Sequence, residues 1–172
     1  MAGRAPDSRK TGGGGLTGRF AVVAARFNEA ISKKLADGAV GALESGGVAP
    51  GQIDTHWVPG SFELPQAALA LARTGRYAGI VCVGVVIRGE TPHFEFVAGA
   101  AARGLSRVAL MTGVPVTFGV ITSLTEAQAW ERAGGVVGHR GEEAARAALE
   151  MAAWKRDLRS RRPRGRAPQR RA

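Results

Sequence analysis

Cysteine is nearly absent: Cys82 is the only one in 172 residues, so no disulfide can form within the chain. Placed in the middle of an apolar run, it reads as an inert buried residue. Long hydrophobic runs are missing as well. The longest, Ile80–Ile87, has the length of a strand and falls far short of a bilayer. No N-terminal stretch has the apolar core of a signal peptide, so the expected setting is cytoplasmic, without membrane contact. Cys/His clusters at metal-ligand spacing, a Gly-x-x-x-x-Gly-Lys-Ser/Thr phosphate loop and a Gly-x-Ser-x-Gly elbow are all missing, and there is no internal repeat. Zinc chemistry, nucleotide hydrolysis and serine hydrolysis are disfavoured, and no metal site is expected.

Charge of one sign is concentrated at the ends. The formal net charge is +10, yet residues 11–154 hold 12 basic and 12 acidic residues. Nine basic residues follow Trp154, against Asp157 alone. The body is therefore formally neutral, and three regions are expected: a flexible N-terminal arm over 1–15 ending in Gly12–Gly15, a domain over 16–158, and a disordered Arg-rich tail over 159–172. A charge run of this kind is usually a solvated extension. The sharper reading is contact with a polyanion such as RNA, multiplied over many subunits.

Between the ends, strand-like and helix-like patterns alternate. Phe20–Ala25, Ile53–Val58, Ile80–Ile87 and Pro115–Thr122 are β-rich apolar runs. Helices are expected after Asn28, with Ile31, Leu35, Ala39 and Ala42 on one face; after Pro59-Gly60; after the third run, with Val97, Ala101, Leu105 and Val108 inward; and from Glu142. Ser123-Leu124-Thr125-Glu126 has a capping-box pattern opening a short helix that Gly134-Gly135 ends. Such alternation predicts an α/β fold of parallel strands with helical crossovers.

The third run leads into Gly84-Val85-Val86-Ile87-Arg88-Gly89-Glu90-Thr91-Pro92-His93-Phe94-Glu95-Phe96-Val97. Thr91 suits an N-cap and Pro92 the first helical position. A strand, a tight turn and a helix start form the corner where open α/β sheets bind ligands, with free N–H groups for an anion. The helix dipole disfavours imidazolium at His93, leaving a neutral proton acceptor near pH 7.

This stretch, with Arg26-Phe27-Asn28, Trp57-Val58-Pro59-Gly60-Ser61-Phe62-Glu63-Leu64-Pro65 and Trp130-Glu131-Arg132-Ala133-Gly134, resembles the 6,7-dimethyl-8-ribityllumazine synthase family of riboflavin biosynthesis. The likeness runs from about Gly18 to about Trp154. It implies a three-layer flavodoxin-like sandwich, a four-stranded parallel sheet with helices on both faces. It also implies a transferase without cofactor that joins 5-amino-6-(ribitylamino)uracil to 3,4-dihydroxy-2-butanone 4-phosphate, releasing phosphate and water. Carried over to this chain, the resemblance makes His93 the proton carrier and places Phe27 against the pyrimidine. The backbone of Ser61–Phe62 and of Val85, Val86 and Ile87 would read the ring's polar edge, and Glu63 would accept from the ribityl hydroxyls. Glu90 and Thr91 would present N–H groups to the phosphate, and Arg132 would neutralise it. Phe118 would reach into an adjacent subunit of a homopentamer. A non-catalytic shell protein of the same fold, binding flavin or lumazine, is the alternative.

Where members of the family show Lys-x-x-x-Asn-Lys/Arg-Gly, this chain has Val136-Val137-Gly138-His139-Arg140-Gly141. Arg140 keeps the positive charge, whereas Val136 has lost one and His139 replaces a short amide. The loop has no insertion, like the members whose pentamers assemble into an icosahedral shell.

Overall fold

The structure, a computed structural model, describes residues 18–160. Four strands, β1 (Arg19–Ala25), β2 (Ile53–Val58), β3 (Tyr77–Ile87) and β4 (Val116–Ser123), form one sheet in the order β2-β1-β3-β4. Every pairing in it is parallel. The inner strands β1 and β3 are buried on both faces, which is why they read as continuous apolar blocks. The polar breaks fall at the edge strands.

Alternation along the strands divides the core in two. Phe20, Val22, Ala24, Val81, Val83 and Val85 point to a layer made by α1 (Glu29–Ser45) and α5 (Arg140–Ser160). Ala21, Val23, Ile80, Cys82 and Val86 point to the opposite layer, α2 (Leu64–Arg73) and α3 (His93–Thr112). The result is an α/β sandwich with helices on both faces of a four-stranded parallel sheet, the flavodoxin-like arrangement. Leu35 and Leu43 on one side and Leu64 and Leu105 on the other are fully buried, each contributing about 1.5–3 kcal/mol of apolar transfer.

Local details differ from the sequence pattern in four places. Pro92, rather than Thr91, holds the N-cap position of α3, its carbonyl accepting from the Glu95 N–H at 2.9 Å, so His93 is the first helical residue. Ser123 is not a cap but the buried last residue of β4. The cap of α4 (Glu126–Glu131) is Thr125, which accepts from the Gln128 N–H at 3.2 Å while Gln128 Oε1 accepts from the Leu124 N–H at 2.9 Å. Gly134 and Gly135 do more than end that helix. They belong to an antiparallel hairpin, β5 (Ala133–Gly135) with β6 (Gly138–His139), a pair too short for any period to show. That hairpin feeds α5 directly, so α5 starts at Arg140 instead of Glu142 and runs through Arg159 and Ser160. The rest of the Arg-rich tail, its polyanion contact and the N-terminal arm lie outside the described residues. Among the described residues no helix is long and apolar enough to cross a membrane.

Candidate active site

At the carboxyl edge of the sheet the ends of β1 and β3, the turn after β2 and the start of α3 enclose a cleft of about 790 Å³. Its first wall is made where β1 stops. Pairing continues one step beyond the strands: the Arg26 N–H donates to the Val58 carbonyl at 2.8 Å and the Phe27 N–H to the Pro59 carbonyl at 3.1 Å. Asn28 then turns the chain at φ 59°, ψ 50°, the one non-glycine residue with positive φ among the described residues. Asparagine visits this left-handed region more readily than other side-chain-bearing residues. Its carbonyl, not its side chain, receives the first N–H groups of α1, from Ile31 and Ser32 at 3.1 and 3.0 Å. The side-chain amide instead donates to the Val85 carbonyl at 3.4 Å, tying β1's exit to β3. With the Ser32 hydroxyl donating to its carbonyl at 3.2 Å, Phe27 is pinned by its backbone while the residue stays 71% exposed.

The opposite wall comes from Ser61–Glu63, a single 3-10 turn leading into α2. Glu63 folds back so that Oε2 accepts from the Gly60 N–H at 2.9 Å. Ser61 is buried, and its hydroxyl has no hydrogen-bond partner among the described residues. It sits over Gly84 of β3, where a Cβ would lie 2.6 Å from Ser61 Oγ and 3.1 Å from Ala25 Cβ. A side chain at position 84 would push the turn off the sheet. Phe62, 59% exposed, projects beside it.

The floor is the end of β3, Val85–Ile87, and the rim is the turn 88–92 with the exposed His93 at the start of α3. The positive end of the α3 dipole faces this rim, favouring anions. Phe27, Ser61, Phe62, Glu63, Val85, Val86, Ile87, Thr91 and His93 thus come together in one cleft. Glu90 is exposed in the same turn but does not line it.

Phe118 and Arg132 are placed elsewhere in the chain. Phe118 pairs with Cys82 in register, on the α2/α3 side of edge strand β4, and is 43% exposed. Arg132 caps the C-terminus of α4, its Nη1 donating to the Gln128 carbonyl at 2.8 Å and lying 3.7 Å from Glu131 Oε2. Neither lines the cleft.

Phe96, a further wall of the cleft, was not singled out by the sequence reading although it is 70% exposed. Its signal was its place three residues after His93, hence on the same helical face. Cys82, between the sheet and the α2/α3 layer, is fully buried, and burial pushes its thiol far above the usual range, leaving it without nucleophilic use.

An exposed aromatic ring, backbone polar groups at strand ends, a carboxylate, a histidine and an anion-favouring helix start can together hold a flat polar heterocycle beside a phosphate ester and move a proton between them. Residues 17–156 match the sequence model of a protein family described as 6,7-dimethyl-8-ribityllumazine synthase.

Proposed function

The chain belongs to the 6,7-dimethyl-8-ribityllumazine synthase family of riboflavin biosynthesis, and on that premise we propose that it makes 6,7-dimethyl-8-ribityllumazine from 5-amino-6-(ribitylamino)uracil and 3,4-dihydroxy-2-butanone 4-phosphate. What carries the reading is one cleft that gathers Phe27, Glu63, the end of β3 and His93 at the carboxyl edge of a parallel sheet.

The substrates bring their own nucleophile. The 5-amino nitrogen attacks the ketone carbonyl, and loss of water leaves an imine. Removal of a proton from the adjacent carbon accompanies cleavage of the carbon–oxygen bond to phosphate, which departs with the electron pair. The resulting enol tautomerises to a ketone, and the ribityl-bearing nitrogen closes on it with loss of a second water. The protein's part is to hold two molecules in register and to carry protons.

His93, exposed at the start of α3, takes and returns those protons. Phe27 stacks on the pyrimidine, and backbone groups of Ser61, Phe62 and Val85–Ile87 read its edge. Glu63 keeps one oxygen on the Gly60 N–H and offers the other to the ribityl hydroxyls. Glu90 and Thr91 present N–H groups to the phosphate, whose charge Arg132 neutralises. Phe118 and Arg132 lie outside the cleft of their own chain, which fits their serving the cleft of a neighbouring subunit in a pentamer.

Mixing the protein with both substrates and following lumazine absorbance together with phosphate release tests this reading. Equal amounts of both products, formed faster than without protein, are expected. Tight lumazine or flavin binding with no acceleration would select the storage-shell alternative.

A further inference from the structure

We propose that His139 is a positioning residue for Arg132 and Arg140, anchoring the β5–β6 hairpin through a hydrogen bond that only its neutral imidazole accepts. The proposal rests on the reading of Arg132 as a phosphate ligand.

The hairpin starts directly after Arg132 and ends directly before Arg140. The Arg140 N–H donates to the Arg132 carbonyl at 2.9 Å, and Ala133 pairs with His139, so both arginines leave from the base of one two-stranded element. Ala133 seats the first strand in the core and the Val137 N–H donates to the Glu131 carbonyl at 3.2 Å, but the remaining residues are open. Gly134 and Gly138 have φ of 108° and 117°, and Val136 and Val137 are exposed at its tip. An isolated two-stranded hairpin is marginal in water, so its position depends on what its base touches.

His139 supplies that contact on two sides. Its ring fills the space left by the missing side chain of Gly38 on α1, where a Cβ would meet Cε1 at 2.1 Å and Nε2 at 2.3 Å. Its Nδ1 accepts from the Glu142 N–H at 3.3 Å, the third residue of α5, which makes His139 the side-chain cap of that helix. A Cβ at Gly141 would run equally closely into the Leu35 carbonyl of α1, so the start of α5 lies flush against the surface that holds the ring.

Acceptance at Nδ1 requires the neutral ring with its proton on Nε2. Charged neighbours are engaged with one another rather than with the ring. From α1, Lys34 Cε approaches Gly134 beside the ring, and Asp37 is paired with Lys33. From α5, Glu143 is paired with Arg140 and Glu142 with Arg146, while Glu131 and Arg132 face each other before β5. The partner of the imidazole is the Glu142 N–H.

The test uses the full-length protein with His139→Asn and His139→Ala at about pH 8. There His139→Ala is expected to raise KM for the butanone phosphate about fivefold, the loss of one cap, while KM for the pyrimidine holds. His139→Asn, which keeps a capping acceptor, restores it. Calorimetry with inorganic phosphate should show the same order, with His139→Ala binding about fivefold more weakly than the wild type and His139→Asn close to it.

Equal damage by His139→Ala to both substrates, or no rescue by His139→Asn, overturns the proposal. If His139→Ala fails to fold, Gly38→Ala, whose Cβ would take the place of the ring, stands in for it. Amide exchange at Glu142 needs neither turnover nor ligand. It should be faster in His139→Ala than in the wild type and in His139→Asn; equal exchange in all three also overturns the proposal. Failure of the enzyme reading shows separately, as absent lumazine formation by the wild type.

Discussion

A histidine at the first position of a helix is held by the backbone alone and needs no side-chain partner, which leaves its imidazole open to substrate. His93 is exposed on the cleft rim in that way. In the proposed reaction its help is one part of a larger positioning effect, so His93→Ala should slow kcat by at most about two orders of magnitude. Single-turnover measurement on the folded variant checks this; complete loss in a protein that keeps the wild-type fold contradicts it. Arg132 is expected to act on one substrate only. Arg132→Ala should weaken the phosphorylated substrate by roughly 1.5–3 kcal/mol, a charged hydrogen bond's worth, and spare pyrimidine binding. Equilibrium titration of each substrate separately measures the split, and equal weakening of both refutes the assignment.

At the scale of elements, the cleft exists because the turn 60–63 can rest on β3. Gly84 leaves the space that Ser61 enters, and Glu63 closes the turn on the Gly60 N–H. Gly84→Ala should therefore cost about 1–3 kcal/mol by overpacking, read as a lower urea midpoint at unchanged slope. Adding Ser61→Gly should return part of that stability by reopening the space. Two additive losses would show that position 84 acts through some other neighbour. The same geometry explains why the glycine interrupts an otherwise β-branched run.

Over the whole molecule, the two ends of the sheet do different work. The carboxyl edge carries the cleft, whereas the amino edge is tied by Asp54, which accepts from Arg19 Nε at 2.9 Å and from the Tyr77 hydroxyl at 2.8 Å. One carboxylate thus joins the first residues of β1 and β3 to β2. The hydrogen bond from Arg19, then that from Tyr77, hold the Asp54 carboxyl down at about 2. The pKa is depressed relative to an unfolded value of about 3.9, so the contribution is present above that value and lost as pH falls through about 2. The stability difference between wild type and Asp54→Asn should therefore shrink as pH falls from about 4 to about 2. It should also be smaller in high salt, because the pair is partly exposed. Denaturant titrations across that range measure it, and a difference constant with pH would remove Asp54 from the account.

The sequence by itself determined the elements that bury long apolar faces. β1 and β3 read as inner strands because both faces are apolar, and the α1 and α3 stripes announce the layers that cover them. The corner at Gly84–His93 was legible too, since strand, turn and helix start are local in the chain. Tertiary structure alone decided what depends on distant contacts. It brought Phe27, Ser61 and His93, far apart in sequence, to one cleft, and it revealed Phe96 as part of its wall. It set Phe118 and Arg132 outside that cleft. The β5–β6 hairpin was hidden because so few residues in strands carry no period, and its anchor, a histidine ring over Gly38, joins positions a hundred residues apart. Local periodicity reports which surfaces must be covered; which side chain covers them is settled by packing between segments that the sequence keeps apart.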